Sequence, residues 1–289
     1  MAVNRTFYFL PASQLLAAPA LNLGSLGLIV ANPFVPHAAD LTQSRVEDTL
    51  GAVKDAAGER DTYIGLITAS SGRTLVSPDD TTGRNVLIRN LGWIAAVCSV
   101  LGFRGILFDA EPIPALGPTW KFWPNEPNTA ALGSEMRDAI RTGPRTLDVG
   151  CYSPWNGTRG VKGLQGFHDW FWGVTVSGAA AGFPFFAEDG YVSTDPYKRT
   201  RAEIEAAFHC TCVPGVGLHW KTRAKNETAY RPKTVGEFRE GLEKDLTRAR
   251  RNSAAGKSWL FPWGWADQEN QPEWGTAHPK HWRVTLKLA

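Results

Sequence analysis

Apolar residues along this chain fall into short continuous runs, separated by longer stretches in which they recur every three or four positions. The first pattern fits buried strands and the second amphipathic helices. Thr6 to Leu10 and Leu26 to Ala31 read as strands, the second stopped by Asn32-Pro33. A helix follows over about 41–57, with Val46, Leu50, Val53 and Ala57 on one stripe, and Tyr63 to Thr68 predicts a third strand. Val86, Leu87, Leu91, Ile94, Cys98 and Leu101 line a long helix that delivers the chain into a fourth strand within Gly102 to Pro112. A loop rich in Trp and Pro runs from Ile113 to Asn128, and its length predicts a functional segment. Leu132, Met136, Ala139 and Ile140 then mark a helix, and Leu147 to Ser153 a fifth strand. Trp170 to Val176 is the expected sixth strand, with Phe183 to Phe186 competing for the place. Val216 to Trp220 and Trp259 to Trp265 supply the seventh and eighth. Thr200-x-x-Glu203 and Thr234-x-x-Glu237 have the capping-box pattern, and the second opens a helix that buries Val235, Phe238, Leu242 and Leu246.

Eight strands with helices in most of the gaps predict an α/β fold, a single (β/α)8 TIM-type barrel over residues 1–289, with any irregularity falling around strands 5 and 6. A doubly wound sheet would need a Gly-rich phosphate turn after an early strand, and the sequence has none. The balance of 31 basic and 28 acidic residues, without a Lys/Arg run interleaved with aromatics, argues against a nucleic-acid partner. Met1 to Gly24, broken by Pro11 and Pro19, resembles neither a clean signal peptide nor a membrane span, so no membrane association is expected. Cys98, Cys151, Cys210 and Cys212 lack framework spacing and read as thiols; His209-Cys210-x-Cys212 has no second pair to complete a zinc site, so no metal or cofactor is expected.

Candidate chemistry concentrates at the end of the fourth strand. Alternation puts Leu107, Asp109 and Glu111 on one face, so two carboxylates stand side by side where an apolar strand ends. Like charges this close raise one pKa and let one member hold a proton near neutrality, as a general acid must. The plainer alternative is an ion pair from Asp109 to a basic residue on a neighbouring strand, with Glu111 a solvated strand end. A barrel carries its chemistry at the C-terminal strand ends, and that favours catalysis. With 12 Trp among 289 residues, stacking faces for sugar rings are available. Trp263 and Trp265 two apart, Tyr152 and Trp155 closing the fifth strand, and Trp123 in the long loop are the expected substrate contacts, with Asp267 beside them. Asp267, Glu269 and Glu188 are the candidates for a second carboxylate, while His168-Asp169 and His219 read as structural groups.

Phe103-Arg104-Gly105-Ile106-Leu107-Phe108-Asp109-Ala110-Glu111-Pro112 resembles the fourth strand of the chitinase-like glycoside hydrolases of family 18, whose pattern is D-G-x-D-x-D-x-E. The resemblance implies Glu111 as proton donor and Asp109 as the residue that orients the substrate's N-acetyl group, which itself attacks the anomeric carbon. Ser258 to Trp265 is similar to the family's last strand, which ends in an inward Trp that floors the sugar site. The family's two earlier aspartates fall on Arg104 and Leu107, and no counterpart of its sixth-strand Tyr is present, so the likeness reaches the wider group of barrel glycosidases more firmly than that one family. The expected function is hydrolysis of an oligo- or polysaccharide, with a carbohydrate as the partner. A non-catalytic carbohydrate-binding barrel, and a barrel enzyme whose Asp109 and Glu111 hold a divalent metal, are the alternatives.

Overall fold

A computed structural model describes residues 6–17, 22–67, 80–109, 129–153, 183–187, 210–222, 229–253, 256–261 and 278–289. Its strands are β1 (Thr6–Pro11), β2 (Gly27–Ala31), β3 (Thr62–Ile67), β4 (Gly105–Asp109), β5 (Asp148–Ser153), β6 (Phe183–Ala187), β7 (Cys210–Gly217), the short β8 (Lys221–Thr222) and β9 (Arg231–Pro232), and β10 (Ser258–Phe261). The helices are α1 (Ala12–Ala17), α2 (Gln43–Ala57), α3 (Thr81–Leu101), α4 (Thr129–Arg141), α5 (Val235–Asn252) and α6 (Pro279–Leu288). Eight strands, β1 to β7 and β10, pair in parallel around a closed barrel, and β8 and β9 form a separate two-stranded ribbon. The barrel is sealed where β1 meets β10 on one side, through Phe7 and Trp259, and β2 on the other, through Phe7 and Gly27. This is the α/β barrel that the alternation of strand and helix patterns predicts.

Local chemistry sets the helix boundaries. Thr42 caps α2 by accepting from the Arg45 amide, and Asp80 caps α3 by accepting from the Gly83 amide. Gly102 ends α3 in the left-handed conformation that glycine adopts at least cost, and it turns the chain directly into β4. The capping box expected at Thr234 and Glu237 is present in full at the start of α5. Arg84 on α3 forms an ion pair with Glu135 on α4, tying neighbouring helices. No described helix is long and apolar enough to cross a membrane.

Two expectations change. The sixth barrel strand is Phe183–Ala187, the competitor, and not Trp170 to Val176, a segment that lies outside the described residues. Both runs are apolar and short; pairing with β5 and β7 decides between them, and periodicity cannot. The seventh strand begins at Cys210, six residues before the predicted Val216, because Thr211, Pro184 and their neighbours pair across β6 and β7 despite the proline. β1 is the strand expected at Thr6 to Leu10, and the short α1 that follows it is an addition to the sequence reading. The Thr200-x-x-Glu203 cap lies outside the described residues.

Strand alternation divides the core in two. Phe7, Phe9, Ile29, Ala31, Tyr63, Leu107, Val213 and Trp259 fill the barrel interior. The opposite strand faces, including Tyr8, Val30, Ile64, Ile106, Phe108, Cys212 and Leu260, pack under α2, α3, α5 and α6. Such a packed interior is a plug and not a channel. Two glycines let it close. A side chain at Gly27 would run into the Phe7 ring, and one at Gly105 would overlap the main chain of Asp148.

Candidate functional site

The C-terminal rim of the barrel is where a site should form, and its middle is fixed by register. Asp109, the last residue of β4, pairs with Ile67 of β3 and with Tyr152 of β5; Tyr152 in turn pairs with Phe186, and Phe186 with Val213. Five strands therefore contribute one residue each to a single level. Asp109 shares its strand parity with Leu107 two residues earlier, and Leu107 and Val213 both belong to the interior plug. Below the rim the plug is apolar: Phe9 and Trp259 lie with ring centroids 6.2 Å apart, and Trp259 is fully buried. A carboxyl-bearing residue thus ends the strand above an apolar floor.

Of the sequence-predicted site residues, the structure brings Asp109 and Tyr152 to adjacent positions in the β4–β5 ladder. Glu111, Trp123, Trp155, Trp263, Trp265 and Asp267 lie outside the described residues, as do Glu188, Glu269 and His168-Asp169. β10 is described as far as Phe261. His219 is half-buried just beyond β7, with its amide donating to the Gly217 carbonyl at 3.1 Å.

Two loops at this rim are well built. After β2, Asn32 continues the ladder by donating its amide to the Gly65 carbonyl at 2.8 Å, and then Pro33 turns the chain outward. The loop is clamped from α3, where the fully buried Asn90 amide donates to the carbonyls of Pro36 and Ala38 at 2.9 Å each. After β7, the Trp220 ring stacks on His278 with centroids 4.4 Å apart, and the Lys221 ammonium sits 4.4 Å from its centre. His281 approaches the Lys233 carbonyl at 3.1 Å and meets the Phe238 ring edge-on, so this corner is held together by its own contacts. Trp220 is consequently engaged inside the protein.

The opposite, N-terminal mouth carries a polar cluster that the sequence reading missed. The Tyr63 hydroxyl donates to Asp148 Oδ2 at 2.9 Å, and Arg104 Nε donates to the same oxygen at 3.0 Å. Burial, and secondly the Asp148 charge, push the Tyr63 phenol well above its ordinary range; the same carboxylate raises the Arg104 guanidinium. Arg104, where the chitinase-like pattern has an aspartate, therefore serves a structural ion pair on the far side of the barrel from Asp109. Its partner is Asp148 of the next strand, which a linear motif cannot indicate. Cys212 faces the helix layer and is buried, and burial raises the thiol of Cys98. Among the described residues, no three His, Cys, Asp or Glu side chains stand close enough to hold a metal ion.

No protein-family model matches the chain, and no curated protein matches it in sequence. Solved structures do resemble it. A glycosylated endo-β-1,4-xylanase of glycoside hydrolase family 10 from Gloeophyllum trabeum aligns over 100% of this chain and 97% of its own, with TM-score 0.56 and 9% identity. A GH5_18 enzyme from Streptomyces cattleya, in complex with Manβ1-4GlcNAc, aligns over 90% of this chain and 70% of its own, with TM-score 0.53 and 12% identity. Morphinone reductase, in complex with tetrahydroNAD, reaches TM-score 0.50 at 10% identity over 99% of this chain and 88% of its own. At such identities the likeness is one of fold, and the fold is the TIM-type barrel that glycoside hydrolases share with enzymes of other chemistry.

Proposed function

We propose that the protein is a glycoside hydrolase acting at the C-terminal face of its barrel, with Glu111 as general acid/base and Asp109 as its electrostatic partner. One observation carries the reading: β4 ends on Asp109 at the rim, level with Ile67 and Tyr152 and above the apolar plug. Glu111 follows two residues later in sequence. A carboxyl beside a second carboxylate over an apolar floor keeps its proton to higher pH, and it can then protonate a leaving glycosidic oxygen. Trp263, Trp265, Tyr152, Trp155 and Trp123 offer stacking faces, and Asp267 a hydroxyl acceptor, for the sugar units.

The nucleophile follows from spacing. A retaining enzyme with a protein nucleophile needs carboxyls about 5 Å apart across the scissile bond, and an inverting one needs about 6.5 to 9.5 Å. Asp109 is only two residues from Glu111 in sequence and is read as flanking the acid; unless Asp267, Glu269 or Glu188 faces Glu111 across the scissile bond, the attacking group is the substrate's own 2-acetamido group, which Asp109 orients. The substrate class is then an N-acetylhexosaminide. Glu111→Gln, assayed on nitrophenyl glycosides with and without the acetamido group, is expected to keep its fold and lose at least about 100-fold in kcat. Undiminished turnover by Glu111→Gln removes that residue from the mechanism. Hydrolysis of glycosides lacking the acetamido group sinks substrate assistance alone, and a wild-type protein that binds glycans without turning any over is a lectin.

A further inference from the structure

We propose that the corner where the β8–β9 ribbon meets α6 is an acid-sensitive latch: His278 and His281 fasten the first turn of α6 as neutral rings and release it when they take up protons. The latch is independent of the glycosidase reading. His278, the N-cap of α6, lays its ring on Trp220 with centroids 4.4 Å apart, and His281 meets the His278 ring edge-on at 5.9 Å. The main chain of Lys233 joins the two sides. Its amide donates to the Trp220 carbonyl at 2.7 Å, and its carbonyl lies 3.1 Å from His281 Nε2. A carbonyl can only accept, so Nε2 of His281 carries the hydrogen. Phe238 of α5 closes the cluster, its ring 5.0 Å from that of His281.

The corner works against a proton on either ring. Both histidines are half-buried, and burial disfavours the charged form. His278 stands at the N-terminus of α6, the end of a helix that repels a cation, and a charge on one ring would face the other across 5.9 Å. The Trp220 face would attract a cation, but the Lys221 ammonium is already 4.4 Å from its centre, and so within twice that distance of the His278 ring. Lys233 and Lys280 add positive charge beside the two rings, while Glu237, the acid of the first turn of α5, is engaged by Arg231 and the Thr234 amide. His219, half-buried next to Trp220, is a further imidazole here. On the barrel side of α6, burial raises the Tyr8 phenol and keeps it neutral. What the latch secures is the seam of the barrel, because α6 carries Trp282 onto Tyr8 and its last carbonyls onto Arg250. An imidazole ordinarily titrates at about 6.5. One that the fold holds neutral stabilises it fully above that value, and the contribution is lost as pH falls below it.

Proton NMR of the intact protein reads the two rings directly. Their Cε1 protons are expected to titrate below the ordinary imidazole value, and titration of either ring at or above it overturns the inference. The unfolding constant in urea should rise about 25-fold between pH 7.5 and 5.5, roughly fivefold for each ring depressed by about one unit. The double variant His278→Phe/His281→Gln keeps a flat ring on Trp220 and an N–H for the Lys233 carbonyl, but it has nothing there to titrate. It should lose most of that rise. An equal rise in the wild type and the double variant assigns the acid sensitivity to other histidines, His219 among them, and overturns the latch; if the double variant does not fold, the NMR titration decides alone. The Glu237 carboxyl does not confuse the result, since its contribution fades only from about 4.5 toward 2.

Discussion

Gly105 shows how much one residue decides. A methyl group there would overlap the Asp148 carbonyl, so β4 and β5 could not keep their register at the N-terminal mouth, where Tyr63, Asp148 and Arg104 join. Overpacking of this kind is costly because the obstacle is main chain and cannot rotate away. Gly105→Ala should lose about 3 kcal/mol in urea-induced unfolding, and a loss near zero would mean that the two strands can part without penalty. The sequence flags Gly105 as one position of a motif, and Asp109 as one of two acids toward the strand's end. It does not reveal that Arg104 belongs to Asp148, since that pairing joins residues 44 apart in sequence.

At the scale of elements, α5 is the helix whose start the sequence defines best. Thr234 accepts from the Glu237 amide at 3.2 Å, and Glu237 returns a bond to the Thr234 amide at 2.8 Å while Arg231 donates to its carboxylate. The Arg231 bond, and then the Thr234 bonds, hold the Glu237 carboxyl down at about 2 from its ordinary 4.5. A depressed carboxyl stabilises the fold fully above its unfolded value, so this contribution should be intact at neutral pH and fade as pH falls from about 4.5 toward 2. Thr234→Ala should cost about 1 kcal/mol at pH 7 by chemical denaturation, and Glu237→Gln should flatten the acid limb of the stability profile; an unchanged acid limb would show that the box is not formed in solution. The capping box is legible because every partner lies within three residues. The sixth strand is not, because Phe183–Ala187 and Trp170 to Val176 carry the same local signal and only the β5 and β7 edges distinguish them.

The whole molecule depends on closure, and closure joins the two ends of the described chain. The Arg250 guanidinium donates to Thr6 Oγ1 and to the carbonyls of Leu288 and Ala289, linking β1, α5 and α6. Trp282, 4% exposed, packs its ring 4.9 Å from that of Tyr8 and donates its indole N–H to the Asn22 carbonyl at 2.8 Å. Trp282→Ala removes both packing and hydrogen bond and should cost about 3–5 kcal/mol by equilibrium unfolding. It should also lower the cooperativity of the transition if the β1–β10 seam opens first, a point that fluorescence and circular dichroism would test by failing to coincide.

Periodicity, caps and strand-breaking prolines determine the kind and order of the elements, because those signals act over a few residues. They predict a parallel α/β barrel, the face on which its chemistry belongs, and the acids Asp109 and Glu111 toward the end of a central strand. Tertiary structure alone decides which of two apolar runs completes the barrel, where β7 begins, and which polar residues meet. It pairs Arg104 with Asp148, and it sets Asn32 in left-handed backbone at the rim, where the sequence shows only a strand stopped by Asn-Pro. Those outcomes depend on contacts between residues distant in the chain, whose energies exist only once the strands have closed on one another.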